Sequence, residues 1–213
     1  MKSSIFVLIV MFLLSGCSDF LDVTPKDKQT SEQLYRTKNG FYTVANGIYD
    51  GLSSVELYGQ QMSWEAIDIM SKRYVTTKAS LKFKDLCSNN YSSTYVSPVF
   101  TSIWKKAYEL IMAANLLIEQ VEQQHGILTE QEANLMKGEM LAVRAFLHLD
   151  MARLFGPCWD NNPDALSIPY HESTEVTTLP LLSFSTVMEK IIRDFNDAEV
   201  LLADDPVITS GPL

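Results

Sequence analysis

The tightest limit on what this chain can fold into comes from residues 129–155, TEQEANLMKGEMLAVRAFLHLDMARLF, a run that stops at Gly156-Pro157, the pair expected where a helix ends. At 100° per residue, counted from Arg144, Lys137, Arg144 and His148 fall on one narrow polar strip. Glu139, Asp150 and Arg153 fall on a second strip, roughly opposite. Two apolar faces lie between the strips. One carries Leu141, Ala142, Ala145, Leu149 and Ala152; the other carries Met140, Val143, Leu147, Met151 and Leu154. A helix that is apolar on two sides needs helical neighbours on both, and the alanines admit one neighbour's backbone at close range. The segment is therefore an inner helix.

The rest of the chain is also helical in pattern, with little of the alternation that strands show. Within residues 31–52, Leu34, Phe41, Ala45, Ile48, Tyr49 and Leu52 recur at helical spacing, as one amphipathic helix with a break expected near Asn39-Gly40. Between residues 98 and 124, Trp104, Tyr108, Ile111, Asn115 and Ile118 share one face, and this helix ends before Gly126. Asn115, in mid-helix among apolar neighbours, reads as a buried hydrogen-bonding residue. A fourth helix is predicted to begin near Ser185, where Thr186 and Glu189 have capping-box spacing, with Val187, Ile191, Phe195, Ala198 and Leu202 as its apolar stripe. The fold class is all-α. Stacked tetratricopeptide-like hairpins are the favoured arrangement and a compact bundle the competing one, since no clear repeat separates them.

The N-terminus bears on location. Lys2 precedes the apolar run IFVLIVMFLL, which falls short of the roughly 20 residues that a spanning helix needs, so residues 1–16 read as a signal peptide. The run ends in Leu14-Ser15-Gly16-Cys17, which resembles the lipobox of bacterial lipoproteins. That resemblance implies lipidation at Cys17, cleavage before it, and anchoring in membrane lipid through several acyl chains. Ordinary secretion with an incidental cysteine is the alternative. Residues 17–30, polar and carrying Pro25, read as a tether, and residues 31–213 as the helical domain.

Charge and motif content narrow the function classes. A net charge of −9 argues against nucleic acid, whose binding rests on neutralising phosphates with Lys and Arg. Three cysteines, at 17, 87 and 158, are too few and too irregularly spaced for a disulfide scaffold or a zinc site. Cys87 and Cys158 could pair; buried thiols are the favoured reading. His125, His148 and His171 lack metal-ligand spacing, and no HExxH, GxSxG or glycine-rich phosphate loop occurs. The expectation is no catalysis, no metal and no cofactor.

The segment GEMLAVRAFLHLDMARLFGP resembles the RAxxxLxxxRxFG helix of the SusD/RagB family of outer-membrane nutrient-binding lipoproteins, matched at Arg144, Ala145, Leu149, Arg153, Phe155 and Gly156. Three further pieces are similar to family segments in the same order: CSDFLDVTPKDKQT, IWKKAYELIMAANLLIEQV and FSTVMEKIIRDFNDAEVLL. The resemblance implies a cell-surface protein that binds oligosaccharides or other nutrients. It also implies a place as a lid on a SusC-type TonB-dependent barrel transporter in the outer membrane. A lipid-anchored helical adaptor that binds only protein is the alternative. Family members are usually more than twice this long, so the chain is expected to hold the N-terminal portion of the fold and to lack the C-terminal portion.

Ligand residues are sought where aromatic faces can stack on the apolar face of a pyranose while charged groups bond its hydroxyls. The segment SWEAIDIMSKRYVTTK offers Trp64, Asp68, Arg73 and Tyr74, and FGPCWDNNPDALSIPY offers Trp159, Asp160 and Asn161; packing or ordinary surface roles are the competing readings. Arg144 and Arg153 read as structural, pairing with helix-borne acids or capping loop carbonyls.

Overall fold

The computed structural model describes residues 31–74, 79–158, 160 and 162–205. These form seven helices: α1 Ser31–Leu34, α2 Lys38–Leu52, α3 Ala66–Met70, α4 Leu81–Cys87, α5 Ser97–Gln123, α6 Glu130–Phe155 and α7 Phe184–Leu202. Among the described residues there is no strand, only an isolated bridge between Leu166 and Ser183. The signal peptide, the Cys17 lipidation position, the tether, Trp159 and Asn161 lie outside the described residues.

The long helices begin and end where local chemistry dictates. Thr129 caps α6 through a reciprocal box, its hydroxyl accepting from the Glu132 N–H while the Glu132 carboxylate accepts from the Thr129 N–H. Pro98 sits in the first turn of α5, where its missing N–H costs nothing. The α5–α6 connection turns at Gly126, whose φ of 75° favours glycine.

Helix α6 lies between α5 and α7, antiparallel to both. Against α5, Arg144 meets Asn115, Lys137 meets Glu122 and the Phe155 ring meets Trp104. Against α7, Arg144 meets Asp194, and Gly138 lies so close to Leu201 and Leu202 that an added Cβ would sit about 3 Å from their side chains. Both apolar faces of α6 are thus covered, as its sequence requires. Leu147, Met151, Met140, Ile111, Leu117 and Ile191 are fully buried at these two interfaces or beside them. Each such side chain contributes about 1.5–3 kcal/mol through burial. Helix α2 adds a further layer on α5, where Gly51 admits the Leu110 side chain.

The two polar strips of α6 are closed as well. The segment at residues 167–174 runs across the groove between α5 and α7 and roofs the first strip. Arg144 Nε donates to Asp194 Oδ2 at 2.6 Å and Nη1 donates to Asn115 Oδ1 at 2.9 Å. Asn115 in turn donates to the carbonyls of His171 and Ser173, Tyr170 donates to Asp194 at 2.7 Å, and His148 Nε2 accepts from the His171 N–H. Thr174 is bound through its N–H and its hydroxyl by Glu119 of α5. Arg144, Asn115, His148 and Asp194 are all buried, and every one is satisfied, the condition under which buried polar groups rigidify a fold. On the second strip, Tyr49 of α2 donates to Glu139, Tyr58 donates to Asp150, and the exposed Arg153 pairs with Asp150.

Three expectations are corrected. The first helix does not break at Asn39-Gly40. It breaks one turn earlier, and Thr37 caps α2 by accepting from the Gly40 N–H at 3.1 Å. Gly40 lies inside α2 because a Cβ there would come within 1.7 Å of the Leu34 carbonyl oxygen; the glycine marks a close backbone approach. The last helix begins at Phe184, beside Ser185 as expected, but its cap is Ser183, whose hydroxyl accepts from the Thr186 N–H; Thr186 and Glu189 form no capping box there. Ser183 is already positioned by its bridge to Leu166. Finally, Cys158 is not a buried thiol. Pro157 carries the chain away from the core, leaving Cys158 exposed, while Cys87 is half-buried and both are free.

Candidate functional site

The site is built on the chain between α2 and α4. After Leu52 the backbone winds through successive turns to residue 65, coiled so tightly that a Cβ on Gly59 would lie 2.2 Å from the Ser53 carbonyl oxygen. This coil orients Trp64. Its backbone N–H donates to the Gln60 carbonyl at 3.1 Å and its indole N–H to the Gly59 carbonyl at 3.2 Å, yet 59% of the residue stays exposed. The next residue points inward. Buried Glu65 accepts from Gln60, from Gln61 at 3.2 Å and from Lys82 of α4, so one carboxylate ties the coil to α4. Burial pushes the Glu65 carboxyl up, but hydrogen bonds from Lys82, Gln60 and Gln61 and the Lys82 charge outweigh it and hold the group below its ordinary value.

Helix α3 ends at Met70 with Ser71 as its C-cap, and Lys72, at φ 60°, reverses the chain. The turn brings Tyr74 back over α3, where its hydroxyl donates to Asp68 Oδ2 at 2.7 Å. That bond and the Asp68 charge raise the Tyr74 phenol, against a smaller opposing pull from the Arg73 guanidinium. Across the gap, Ser80 caps α4 by accepting from the Phe83 N–H, and Phe83 turns toward Trp64 and Tyr74. The result is an open cleft of about 510 Å³ lined by Trp64, Glu65, Ile69, Tyr74, Ala79, Ser80 and Phe83. Ile69 forms its buried floor, packed with Ala66, Leu86 and Val96 in a small core beside the main one.

Chemically the cleft is a stacking platform. Trp64, Tyr74 and Phe83 are 59%, 53% and 38% exposed, and their clustering around one cleft makes a contiguous aromatic surface. Apolar rings rimmed by a few polar groups suit a ligand with alternating C–H faces and hydroxyls. Among the sequence-predicted residues, Trp64 and Tyr74 line the cleft together, Asp68 fixes Tyr74, and Arg73 stands exposed beside it. Asp160 is exposed elsewhere, beyond the end of α6. Sequence reasoning missed Glu65, Ile69, Ser80 and Phe83. The Ser80 cap three residues before Phe83 was the available signal for α4.

A second cavity, of about 490 Å³, opens among Tyr91, Phe100, Trp104, Lys105, Leu154 and Phe155. Its rings pack on one another: Trp104 against Tyr108 at 4.6 Å, Trp104 edge-to-face with Phe155 at 4.9 Å, and Tyr91 with Phe100 at 5.3 Å. Trp104 and Phe155 are thereby engaged with neighbours, although Tyr91 stays half exposed, whereas all three rings of the Trp64 cleft are exposed. No group of three or more His, Cys, Asp or Glu side chains able to hold a metal occurs among the described residues. Among the same residues, no helix is long and apolar enough to cross a membrane.

Comparison with known proteins adds what geometry does not carry. The sequence model of a SusD-like family, described as starch-binding associating with outer membrane, matches residues 19–211. Two SusD-like proteins of Formosa agariphila are similar: P38 is 25% identical over 199 residues, 91% of this chain and 36% of its own length. P25 is 21% identical over 208 residues, covering 95% and 38%. The chain thus spans little more than a third of the length of these relatives. Among solved structures, a SusD-like carbohydrate-binding protein of Bacteroides vulgatus superposes with a TM-score of 0.62 at 25% identity, covering 79% of this chain and 36% of that one. A SusD superfamily protein of Bacteroides thetaiotaomicron, at TM-score 0.60 and 20% identity over 78% of this chain and 37% of the other, shares the fold.

Proposed function

We propose, since this chain belongs to the SusD-like family, that it binds glycan in the Trp64–Tyr74–Phe83 cleft as the nutrient-binding partner of a SusC-type TonB-dependent outer-membrane transporter. The observation that carries the proposal is the trio of exposed rings around one cleft, two of them, Trp64 and Tyr74, fixed in place by hydrogen bonds to Gly59 and Asp68. The family's description as starch-binding and the carbohydrate-binding relative of similar fold support the ligand class.

In this reading the long helices are scaffold and the coil between α2 and α4 is the ligand surface. The function is capture and hand-over with no covalent step. Both carboxylates at the cleft hold the protein's own side chains, Glu65 bound to Lys82, Gln60 and Gln61, and Asp68 to Tyr74. Lipidation at Cys17 would keep the protein at the outer membrane beside its transporter, with the 17–30 tether spanning the gap to the helices. The family's description as associating with the outer membrane supports that location.

Calorimetric titration of the purified chain against a panel of oligosaccharides tests the proposal. Binding of at least one glycan is expected, with an aromatic-stacking loss of about 1–2 kcal/mol in the Trp64→Ala variant. Glycan affinity untouched by that substitution would move the site elsewhere. Purification from outer membranes with partners that include no barrel would favour the protein-only adaptor.

A further inference from the structure

We infer that the Trp64–Tyr74–Phe83 cleft selects acidic glycans, chains whose sugars carry carboxylate or sulfate groups, over neutral ones; this rests on the proposal that the cleft binds glycan at all.

The chain as a whole is acidic, at −9, so its surface repels polyanions. Yet of its 17 lysines and arginines, five fall in residues 64–84, which hold only two of its 26 acids. The most basic stretch of this acidic chain coincides with the stacking platform. The two acids there, Glu65 and Asp68, are the ones already engaged, Glu65 by Lys82 and two glutamines and Asp68 by the Tyr74 hydroxyl. Lys72 and Arg73 are exposed, and no salt bridge among the described residues involves either. Arg73 directly precedes Tyr74, one of the rings that line the cleft, so its exposed side chain lies beside the platform.

A neutral sugar needs stacking faces and hydroxyl partners, not uncompensated cations. An acidic sugar stacks in the same way and adds a planar or tetrahedral anion, which a weakly hydrated guanidinium binds through paired N–H groups. The acidic remainder of the surface then sharpens the selection by discouraging a polyanion from settling anywhere else.

Two matched pairs of ligands provide the test: oligogalacturonate against its neutral methyl ester, and dextran sulfate against dextran, each titrated into the full chain at 20 and 200 mM NaCl. The expected result is an affinity for at least one acidic member about tenfold above its neutral counterpart, a gap that shrinks at the higher salt. Preference in the first pair alone identifies the carboxylate, and preference in the second alone the sulfate. Arg73→Gln is expected to lower the acidic-to-neutral ratio about fivefold, and Trp64→Ala to remove acidic binding. Neutral members binding as well as acidic ones, with Trp64 required, would overturn the inference while leaving the glycan-binding proposal standing. Acidic binding that survives Trp64→Ala is indiscriminate polyelectrolyte contact and overturns it too. Absence of binding to these and to every other glycan tried would remove the underlying proposal itself.

Discussion

His148 makes the buried network measurable. Its ring is fully buried, stacks on Tyr170 at 3.8 Å, sets Nδ1 2.9 Å from the Arg144 carbonyl oxygen and accepts the His171 N–H at Nε2. Nδ1 therefore carries the proton in the neutral ring, and a second proton at Nε2 would confront the His171 N–H. Burial pushes the His148 pKa down to about 3, with the charges of Arg144 and His171 acting in the same direction and outweighing the Arg144 carbonyl and Asp194. In the unfolded chain the group titrates near its ordinary 6.5. The unfolded state thus takes up the proton first. Stability from this residue is complete above about pH 6.5 and is lost as pH falls toward 3, at about 1.4 kcal/mol per pH unit. Between pH 7 and pH 5 the loss comes to about 2 kcal/mol. Urea unfolding of the native chain and of His148→Gln at pH 7, 6 and 5 reads it directly. The variant is expected to be less stable at pH 7 but to lose about 2 kcal/mol less on acidification. His171, also lowered by burial, is present in both proteins and cancels. Parallel pH profiles for the two would refute the reasoning.

Two further outcomes follow from the same structure. Asp194→Asn leaves the Arg144 guanidinium buried without its carboxylate and should cost about 3–5 kcal/mol, seen as a fall in Tm of roughly 10 °C; a loss below about 1 kcal/mol would mean the pair is not desolvated. With Cys17 replaced by serine, iodoacetamide should alkylate exposed Cys158 well before half-buried Cys87 under native conditions; a Cys87–Cys158 disulfide would contradict the observed free thiols.

The central helix was legible because its periodicity is strict. Two apolar faces and a helix-ending Gly-Pro pair leave little freedom, and α6 ends at Phe155 as expected. Asn115 was also legible, since a polar side chain in an apolar stripe needs internal partners. What the sequence could not disclose was the roof. Residues 167–174 have no period, and only packing reveals that Tyr170, His171 and Glu172 cover the Arg144 strip. Gly40 misled for a related reason: a glycine that admits a neighbouring backbone looks, in sequence, like a helix break. At the site, Trp64 and Tyr74 stood out by residue type, but Phe83 reaches them only through α4, seven residues long and too short to leave a periodic signature.

The claim that the Trp64 cleft is the glycan platform is tested most directly by the tryptophan indole N–H resonances of the ¹⁵N-labelled protein during titration with a bound glycan, assigned with single Trp→Phe variants. The account predicts that the Trp64 signal moves in step with saturation while that of Trp104, whose ring is packed between Tyr108 and Phe155, stays in place. A stationary Trp64 signal beside a shifting Trp104 signal would put the ligand in the other cavity and contradict the account.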